Sequence, residues 1–476
     1  MFTKSSYSFI IIVTALSSLF ICSCDEEYNN YVNESPEHIV SDSNTIVPET
    51  IKVVDYSLKI PNLLNEKSAE ITIKFNHPAI LAYYFDVNDG NCLISNYNMS
   101  DDSTTLTIQL PFYRIGNDYN LSFRMKDSKV QKEWIQKISF NSYKNRYKYE
   151  GVAQTVFYDY ENNIVWLATS RPCRLYRIDL STPSNPQSID FPLCPNVLAM
   201  NPYNNKLYVG FNINTYDEAE LYDRKIHILD PNTLKEEGNF AISFDNTYGY
   251  DAICPDASPC SMAFTDDGLG VVVRDTYSSN GTDYCYVYCY KDHKVAVMDR
   301  WEEYYAGVTT NYDKHSLIMT HQGYSSPNLD IVSKKNKNPN PHDIDGRYHS
   351  DEYWSGGNIM TRRFHRYAPI CAYQSVQSLC LINYETDNYS PVYIQEGRSP
   401  FIDFDYKNDN HIIKFDCLTN HVLYIDMNDG SLKFVTPLGT DVKHISYIEG
   451  RDELFTIHND NSGTYLTIYD MNLFRR

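Results

Sequence analysis

A short pattern of paired strands recurs along the last two thirds of this chain, and that recurrence restricts its possible folds most. In the clearest copy, Leu207–Phe211 and Lys225–Leu229 are predicted strands on either side of a loop. The turn Asp230–Thr233 and a third strand, Gly238–Phe244, follow. A unit of three or four strands cannot bury both of its faces alone, so each copy must pack on another.

Seven such units follow one another, at about 46 residues per unit, which is within the range of propeller blades. Almost no helical periodicity interrupts them. The units are 152–195, 196–247, 248–303, 304–353, 354–400, 401–440 and 441–476.

The last unit predicts how the ring closes. It has strands at His444–Ile448, Glu453–His458 and Tyr465–Tyr469, and no fourth strand follows. A strand-like segment, Arg146–Gly151, precedes the first unit, and as the outer strand of the last unit it would cover an open edge. The sequence therefore predicts a seven-bladed β-propeller over 146–476, closed by an N-terminal strand.

The best-preserved unit resembles the YVTN family of seven-bladed propellers. The residues that carry the resemblance are KLYVGF (Lys206–Phe211) and KIHILDPNTLK (Lys225–Lys235), with a weaker match in HVLYIDMNDGSLKFV (His421–Val435). The resemblance implies a propeller fold and a binding or scaffolding role, and it implies no activity.

Residues 51–145 are predicted to form an independent β-sandwich, because alternating apolar residues mark six strands with turns between them. The region resembles an immunoglobulin or fibronectin-type module, which implies a spacer, or otherwise a binding role of its own. The predicted strands are Ile51–Lys59, Ala69–Phe75, Leu81–Val87, Thr104–Leu110, Tyr119–Lys126 and Trp134–Asn141. The whole protein is thus expected to be all-β.

The N-terminus indicates export. Lys4 precedes a short apolar stretch, Phe9–Ile21, that is typical of a secretory signal. The stretch ends in Ile21-Cys22-Ser23-Cys24, which resembles the bacterial lipobox, so residues 1–23 would be a signal peptide and Cys24 the lipidated residue. A plain signal peptide with an incidental cysteine is the alternative.

The acidic run Asp25–Glu27 resembles the signal that carries lipoproteins of the Bacteroidetes to the outer face of the outer membrane. In other bacteria, Asp directly after the lipidated cysteine marks retention in the inner membrane. Residues 24–50 are polar and are predicted to be a flexible tether. We therefore expect the outer membrane, with the protein displayed on the cell surface by the lipid on Cys24.

Charge and cysteine content set two further expectations. The 61 acidic and 41 basic residues give a formal charge of −20, which repels phosphate backbones and disfavours nucleic acid as a partner. An exported protein can form disulfides, for which Cys371 with Cys380 and Cys254 with Cys260 are candidates. Buried free thiols are the alternative.

Two aromatic clusters are the candidate ligand-binding residues: Trp301, Tyr304 and Tyr305, and then Tyr353 and Trp354. Exposed rings beside carboxylates suit sugars, because a pyranose stacks on the ring and its hydroxyls bond to acids. Packing between blades is the alternative. The loop His342–Glu352 is rich in potential metal ligands but matches no EF-hand or zinc pattern, so we predict no metal and no cofactor.

No catalytic motif appears, and we predict no catalytic residue. The favoured hypothesis is a non-catalytic surface protein that binds a glycan or a protein through loops on one propeller face. The alternative is a structural or assembly partner of an outer-membrane uptake complex. A propeller glycoside hydrolase or lyase is less favoured, since it needs two carboxylates paired across a cleft.

Overall fold

The computed structural model gives an all-β fold with propeller-like sheets. Within the ranges that it describes, the helical structure is a single 3-10 turn, Met471–Leu473, and no helix there has the length and apolar character needed to span a bilayer. The described residues are 50–87, 96–127, 132–211, 225–241, 259–274, 285–289, 294–297, 306–321, 329–334, 344–348, 361–374, 378–386, 388–394, 401–408, 410–439 and 442–475.

The N-terminal region forms two facing sheets, one ordered β1-β2-β5-β4 and the other β3-β6-β7. Buried residues alternate along its inner strands because every second side chain faces the other sheet. The strands are β1 Val53–Lys59, β2 Ala69–Phe75, β3 Ala79–Val87, β4 Tyr97–Met99, β5 Thr105–Leu110, β6 Tyr119–Asp127 and β7 Glu133–Phe140.

Among the residues that the structure describes, seven four-stranded antiparallel sheets follow, and we number them sheet 1 to sheet 7. In sheets 1 to 3 the strands are ordered as in the sequence. Sheet 1 has β9 Val152–Asp159, β10 Ile164–Ser170, β11 Arg174–Asp179 and β12 Gln187–Asp190. Sheet 2 has β13 Pro195–Asn201, β14 Lys206–Phe211, β15 Lys225–Leu229 and β16 Glu236–Ala241. Sheet 3 has β17 Pro259–Phe264, β18 Leu269–Arg274, β19 Cys285–Cys289 and β20 Lys294–Val297.

Sheets 4 to 6 repeat this arrangement. Sheet 4 has β21 Ala306–Thr310, β22 Ser316–His321, β23 Leu329–Lys334 and β24 Ile344–Tyr348. Sheet 5 has β25 Thr361–Phe364, β26 Ile370–Gln374, β27 Ser378–Asn383 and β28 Asn388–Ile394. Sheet 6 has β29 Phe401–Phe404, β30 His411–Asp416, β31 His421–Asp426 and β32 Leu432–Pro437.

Sheet 7 takes its outer strand from far away in the sequence. Its order is β33-β34-β35-β8, where β8 is Asn145–Tyr149, just ahead of sheet 1. β8 pairs antiparallel with β35, and Tyr147 lies opposite Leu466. The other strands are β33 Val442–Ile448, β34 Glu453–Asp460 and β35 Gly463–Asp470.

Apolar side chains pack sheets 1, 2 and 3 on one another, and likewise sheets 4, 5, 6 and 7, and sheet 7 packs on sheet 1. Val165 of sheet 1 and Phe455 of sheet 7, for example, share one buried cluster. The first strands also contact one another, β9, β13, β17 and β21 in succession, then β25, β29 and β33, and finally β33 with β9. The first strands therefore line the centre of the sheet arrangement.

The N-terminal sandwich is joined to sheets 6 and 7 and is not an independent body. Its core is continuous with theirs, and residues 50–476 form one compact unit. Ile115 forms a parallel bridge with Leu438, and the Leu63 amide donates to the Val435 carbonyl at 2.8 Å. These contacts cover the outer edge of sheet 6, which would otherwise present unpaired backbone groups.

The described cysteines correct one disulfide prediction and add a pair that we did not expect. Cys371 and Cys380 do not face each other, because the hairpin register sets Cys371 opposite Ile382 and Cys380 opposite Tyr373. A disulfide joins Cys173, before β11, to Cys194, before β13, and so ties sheet 1 to the entry of sheet 2. Cys254 lies outside the described residues.

Candidate functional site

A buried ionic cluster occupies the inner strands of sheets 5, 6 and 7, with Asp403 of β29 at its centre. The Asp403 side chain is fully buried and accepts hydrogen bonds from Arg363 Nε at 2.9 Å and Arg363 Nη2 at 3.2 Å. Ser446 Oγ donates to it at 2.6 Å and the Tyr447 amide at 2.9 Å. One carboxylate thereby links three neighbouring sheets.

Arg366 connects this cluster to the surface. Its side chain is almost completely buried, and Nη2 donates to Asp403 at 3.4 Å and to the Tyr447 carbonyl at 3.0 Å. Nη1 donates to Glu449 at 3.0 Å, in the turn after β33. A buried arginine costs free energy unless its donors are paired, and here two carboxylates pair with it.

Three tyrosine rings surround the Arg366 guanidinium. Its carbon lies 4.3 Å from the ring centre of Tyr406, 5.0 Å from that of Tyr160 and 5.2 Å from that of Tyr158. Such cation–π contacts strengthen when they are shielded from water. Tyr158 and Tyr160 belong to sheet 1 and its following turn, and Tyr406 to the turn after β29 of sheet 6, so the Arg366 guanidinium contacts side chains of two other sheets.

Several of the turns that join the first strand of a sheet to the second lie close together around Arg366. Tyr367, after β25, packs edge-on against Tyr160 at 6.1 Å and against Tyr406 at 5.8 Å between ring centres. Lys314, after β21, forms an ion pair with Glu161, after β9. We call Tyr160, Arg366, Tyr367, Tyr406 and Glu449 the mouth cluster. It joins turns of sheets 1, 5, 6 and 7.

The electrostatics of the cluster favour fixed charges. Burial acts against ionisation of Asp403, but the charges of Arg363 and Arg366 outweigh it and hold the pKa of Asp403 below its usual range. Burial, with the nearby arginines, lowers the pKa of His444 on β33 to about 3. Near neutral pH, Asp403 is therefore an anion that pairs with the two arginines, and His444 is neutral.

No metal site adds to the mouth cluster in the described part of the chain. There, no group of three or more His, Cys, Asp or Glu side chains is placed to hold an ion. The loop His342–Glu352, which is rich in potential metal ligands, is described only at Ile344–Tyr348.

The residues predicted from the sequence to bind ligand are not those of the mouth cluster. Trp301, Tyr304, Tyr305, Tyr353 and Trp354 lie outside the described residues, as does the predicted lipidation site Cys24. In the sequence, the first three aromatic residues fall between β20 and β21 and the last two between β24 and β25.

Sequence reasoning missed Arg363, Asp403 and Ser446 because they are about 40 residues apart and form no local motif. A signal was nevertheless present. Each lies in the first strand of its unit, and in β29 (FIDF) a single charge interrupts an otherwise apolar strand, whereas β25 (TRRF) and β33 (VKHISYI) carry several polar residues.

The chain is similar to the solved β-propeller domain of Cps50 (Swd1) from Myceliophteria thermophila, with 9% identity and a TM-score of 0.48 over 69% of this chain and 98% of that one. It is also similar to a chain in the mitotic checkpoint complex, with 10% identity and a TM-score of 0.49 over 72% and 96% of the two chains. No protein-family model matches the chain, and no curated protein matches it in sequence.

Proposed function

We propose that this protein is a non-catalytic binding protein, anchored to the outer face of the outer membrane by a lipid on Cys24. In this proposal its seven sheets are the blades of one propeller that β8 closes. Ligand is a glycan or a protein, bound on one propeller face.

The observation that carries the proposal is the state of Asp403. It is the fully buried acid at the centre of the described site, and two arginines hold it as a permanent anion. A glycosidase needs a carboxyl group whose pKa is raised so that it can protonate the leaving oxygen. The pKa of Asp403 is shifted in the opposite direction, which argues against this carboxyl as the general acid of a glycosidase.

Binding and turnover are separated by one experiment. The purified protein is incubated with a panel of polysaccharides and surface proteins, and the bound fraction and any soluble products are measured together. We expect retention of a ligand with no product released. Products whose release depends on an acidic residue of this chain would overturn the proposal.

Anchoring is tested in cells. Labelling with an alkyne fatty acid should mark the wild-type protein and not Cys24→Ser, and protease added to intact cells should digest the wild-type protein. Labelling that survives in Cys24→Ser, or full protection from the protease, would contradict the lipid anchor or the surface location, respectively.

A further inference from the structure

Tyrosines recur at one position of the repeat. In five of the seven turns that join the first strand to the second, a tyrosine follows the first strand within three residues. In sheets 3 and 7 the corresponding turns carry Asp266 and Glu449. We call the five side chains the tyrosine ring: Tyr160, Tyr203, Tyr312, Tyr367 and Tyr406.

Tyr367 and Tyr203 are exposed, Tyr312 is partly exposed, and contacts hold all three rings in place. Tyr367 keeps 53% of its surface exposed although its ring packs nearly perpendicular to the rings of Tyr160 and Tyr406. Tyr203 is 37% exposed and lies over Gly268, where a Cβ would approach its ring to 3.4 Å. Tyr312 donates a hydrogen bond to Glu385 of the next sheet at 2.6 Å. Rings fixed in this way lose little conformational entropy when a ligand stacks on them.

Carboxylates beside these rings already have cationic partners. Glu161 pairs with Lys314, Glu449 with Arg366, and Asp266 with His315 at 2.7 Å. Their oxygens can still accept hydrogen bonds from hydroxyl groups. A ligand that is rich in hydroxyls and carries no charge gains these bonds without disturbing the ion pairs. A polyanion would instead meet the overall charge of −20.

We propose that the tyrosine ring is a binding surface for a neutral hexopyranose chain, in which Tyr367 is the stacking platform and Glu161 accepts hydroxyl hydrogen bonds. The apolar face of a pyranose matches a fixed, half-exposed ring, and the paired carboxylates match its equatorial hydroxyls. This inference rests on the proposed binding function and places the ligand at the mouth cluster, away from the aromatic residues predicted from the sequence.

The test uses the full mature chain and soluble neutral hexose polysaccharides, namely a β-glucan, a mannan and a galactan, with polygalacturonate as the anionic comparison. Affinity is measured by electrophoresis in gels that contain each polysaccharide. The variants are Tyr367→Ala, Tyr367→Phe and Glu161→Gln. Tyr97→Ala is the matched control, because Tyr97 is 49% exposed on the sandwich, far along the chain from the mouth.

We expect at least one neutral hexose polymer to bind the wild-type protein. The affinity of Tyr367→Ala for that polymer should be about tenfold lower, whereas Tyr367→Phe and Tyr97→Ala should bind it nearly as tightly as the wild type. Glu161→Gln, whose side chain is half-exposed, should weaken binding while thermal unfolding stays unchanged, so the test holds even if Tyr367→Ala folds poorly.

Three results would overturn this inference: no neutral polymer binds, polygalacturonate binds more tightly than any neutral polymer, or Tyr367→Ala and Glu161→Gln both bind like the wild type. The first would leave the proposed binding function to a protein ligand. Sugar released from a bound polymer would overturn the proposed non-catalytic function instead, while the variants would still locate the sugar.

Discussion

At the scale of single residues, Asp403 shows how a charge is kept in the protein interior. Its carboxylate is removed from water, which costs several kcal/mol for an isolated ion. Two hydroxyls and two backbone amides join the two guanidinium groups in replacing the lost hydration. The guanidinium groups, one hydroxyl and one amide come from the two neighbouring sheets. Because those donors come from sheets 5 and 7, the pairing of one side chain also fixes the positions of its neighbours.

Asp403→Asn should therefore be strongly destabilising. It leaves Arg363 and Arg366 without the carboxylate that balances them, and removing one partner of a buried pair costs about 3–5 kcal/mol. The matched control is Asp190→Asn, which breaks an exposed pair with Arg174 and should cost below about 1 kcal/mol. Urea unfolding of both variants checks this, and equal losses would show that Asp403 has no special structural weight.

Acid should weaken the fold through buried histidines before it protonates the carboxylates. Burial lowers the pKa of His458 on β34 to about 4, whereas an unfolded histidine titrates near 6.5. As pH falls, the unfolded chain therefore binds a proton at His458 before the folded chain does. The contribution of His458 to the free energy of unfolding is complete above about pH 6.5 and decreases as the pH falls from there to about 4.

We expect a loss of roughly 2 kcal/mol from His458 between pH 7.5 and pH 5. His458→Gln should flatten this part of the curve of unfolding free energy against pH. His315→Gln is the control, since Asp266 raises the pKa of that exposed histidine and its titration acts in the opposite sense. If the free energy of unfolding of His458→Gln falls as steeply at acidic pH as that of the wild type, His458 is not the cause of the loss.

At the scale of elements, β8 serves two sheets. Its backbone pairs with β35 of sheet 7, while Tyr149 at its end packs in a buried cluster with residues of sheet 1. The Tyr149 hydroxyl donates to the Pro183 carbonyl at 2.8 Å, in the connection before β12. A strand from the N-terminal side thus holds the last sheet and the first together.

Tyr149→Ala should loosen that junction. Truncating a buried aromatic residue leaves a cavity and costs about 3–5 kcal/mol. Lys148→Ala, one residue earlier on the same strand with an exposed side chain, should change stability by less than about 0.5 kcal/mol. Hydrogen exchange should show faster exchange in β35 for Tyr149→Ala alone; protection retained in β35 would mean that β8 does not hold this edge.

The strands could be predicted from the sequence more completely than the residues of the site. Alternation located β2 at Ala69–Phe75 without error, and the apolar run after Asn163 located β10, because period-two burial is local information. The three-residue β4 was missed, since so short an edge strand carries no periodic signal. The Cys173–Cys194 disulfide and the Asp403 cluster were missed because both depend on contacts between units, which local patterns do not record.

At the scale of the molecule, the N-terminal sandwich is part of the same folded unit as sheets 6 and 7. The buried core of the sandwich continues into sheets 6 and 7, and Gly439 donates a backbone hydrogen bond to Ile115 at 2.9 Å. Asn62 accepts a further bond from the Val435 amide at 3.2 Å. An element joined by both core and backbone is expected to unfold together with its neighbour.

Removal of residues 1–143 should therefore destabilise the remaining sheets. It uncovers Leu438 and the edge of β32, which exposes apolar surface and unpaired backbone groups. We expect the thermal midpoint to fall by about 5 °C or more, with concentration-dependent association. A variant lacking residues 1–49 keeps the whole sandwich and should melt as the intact chain does, in one transition by calorimetry. Two separate transitions in the intact chain, with the later one unchanged after removal of residues 1–143, would instead make the sandwich an independent spacer.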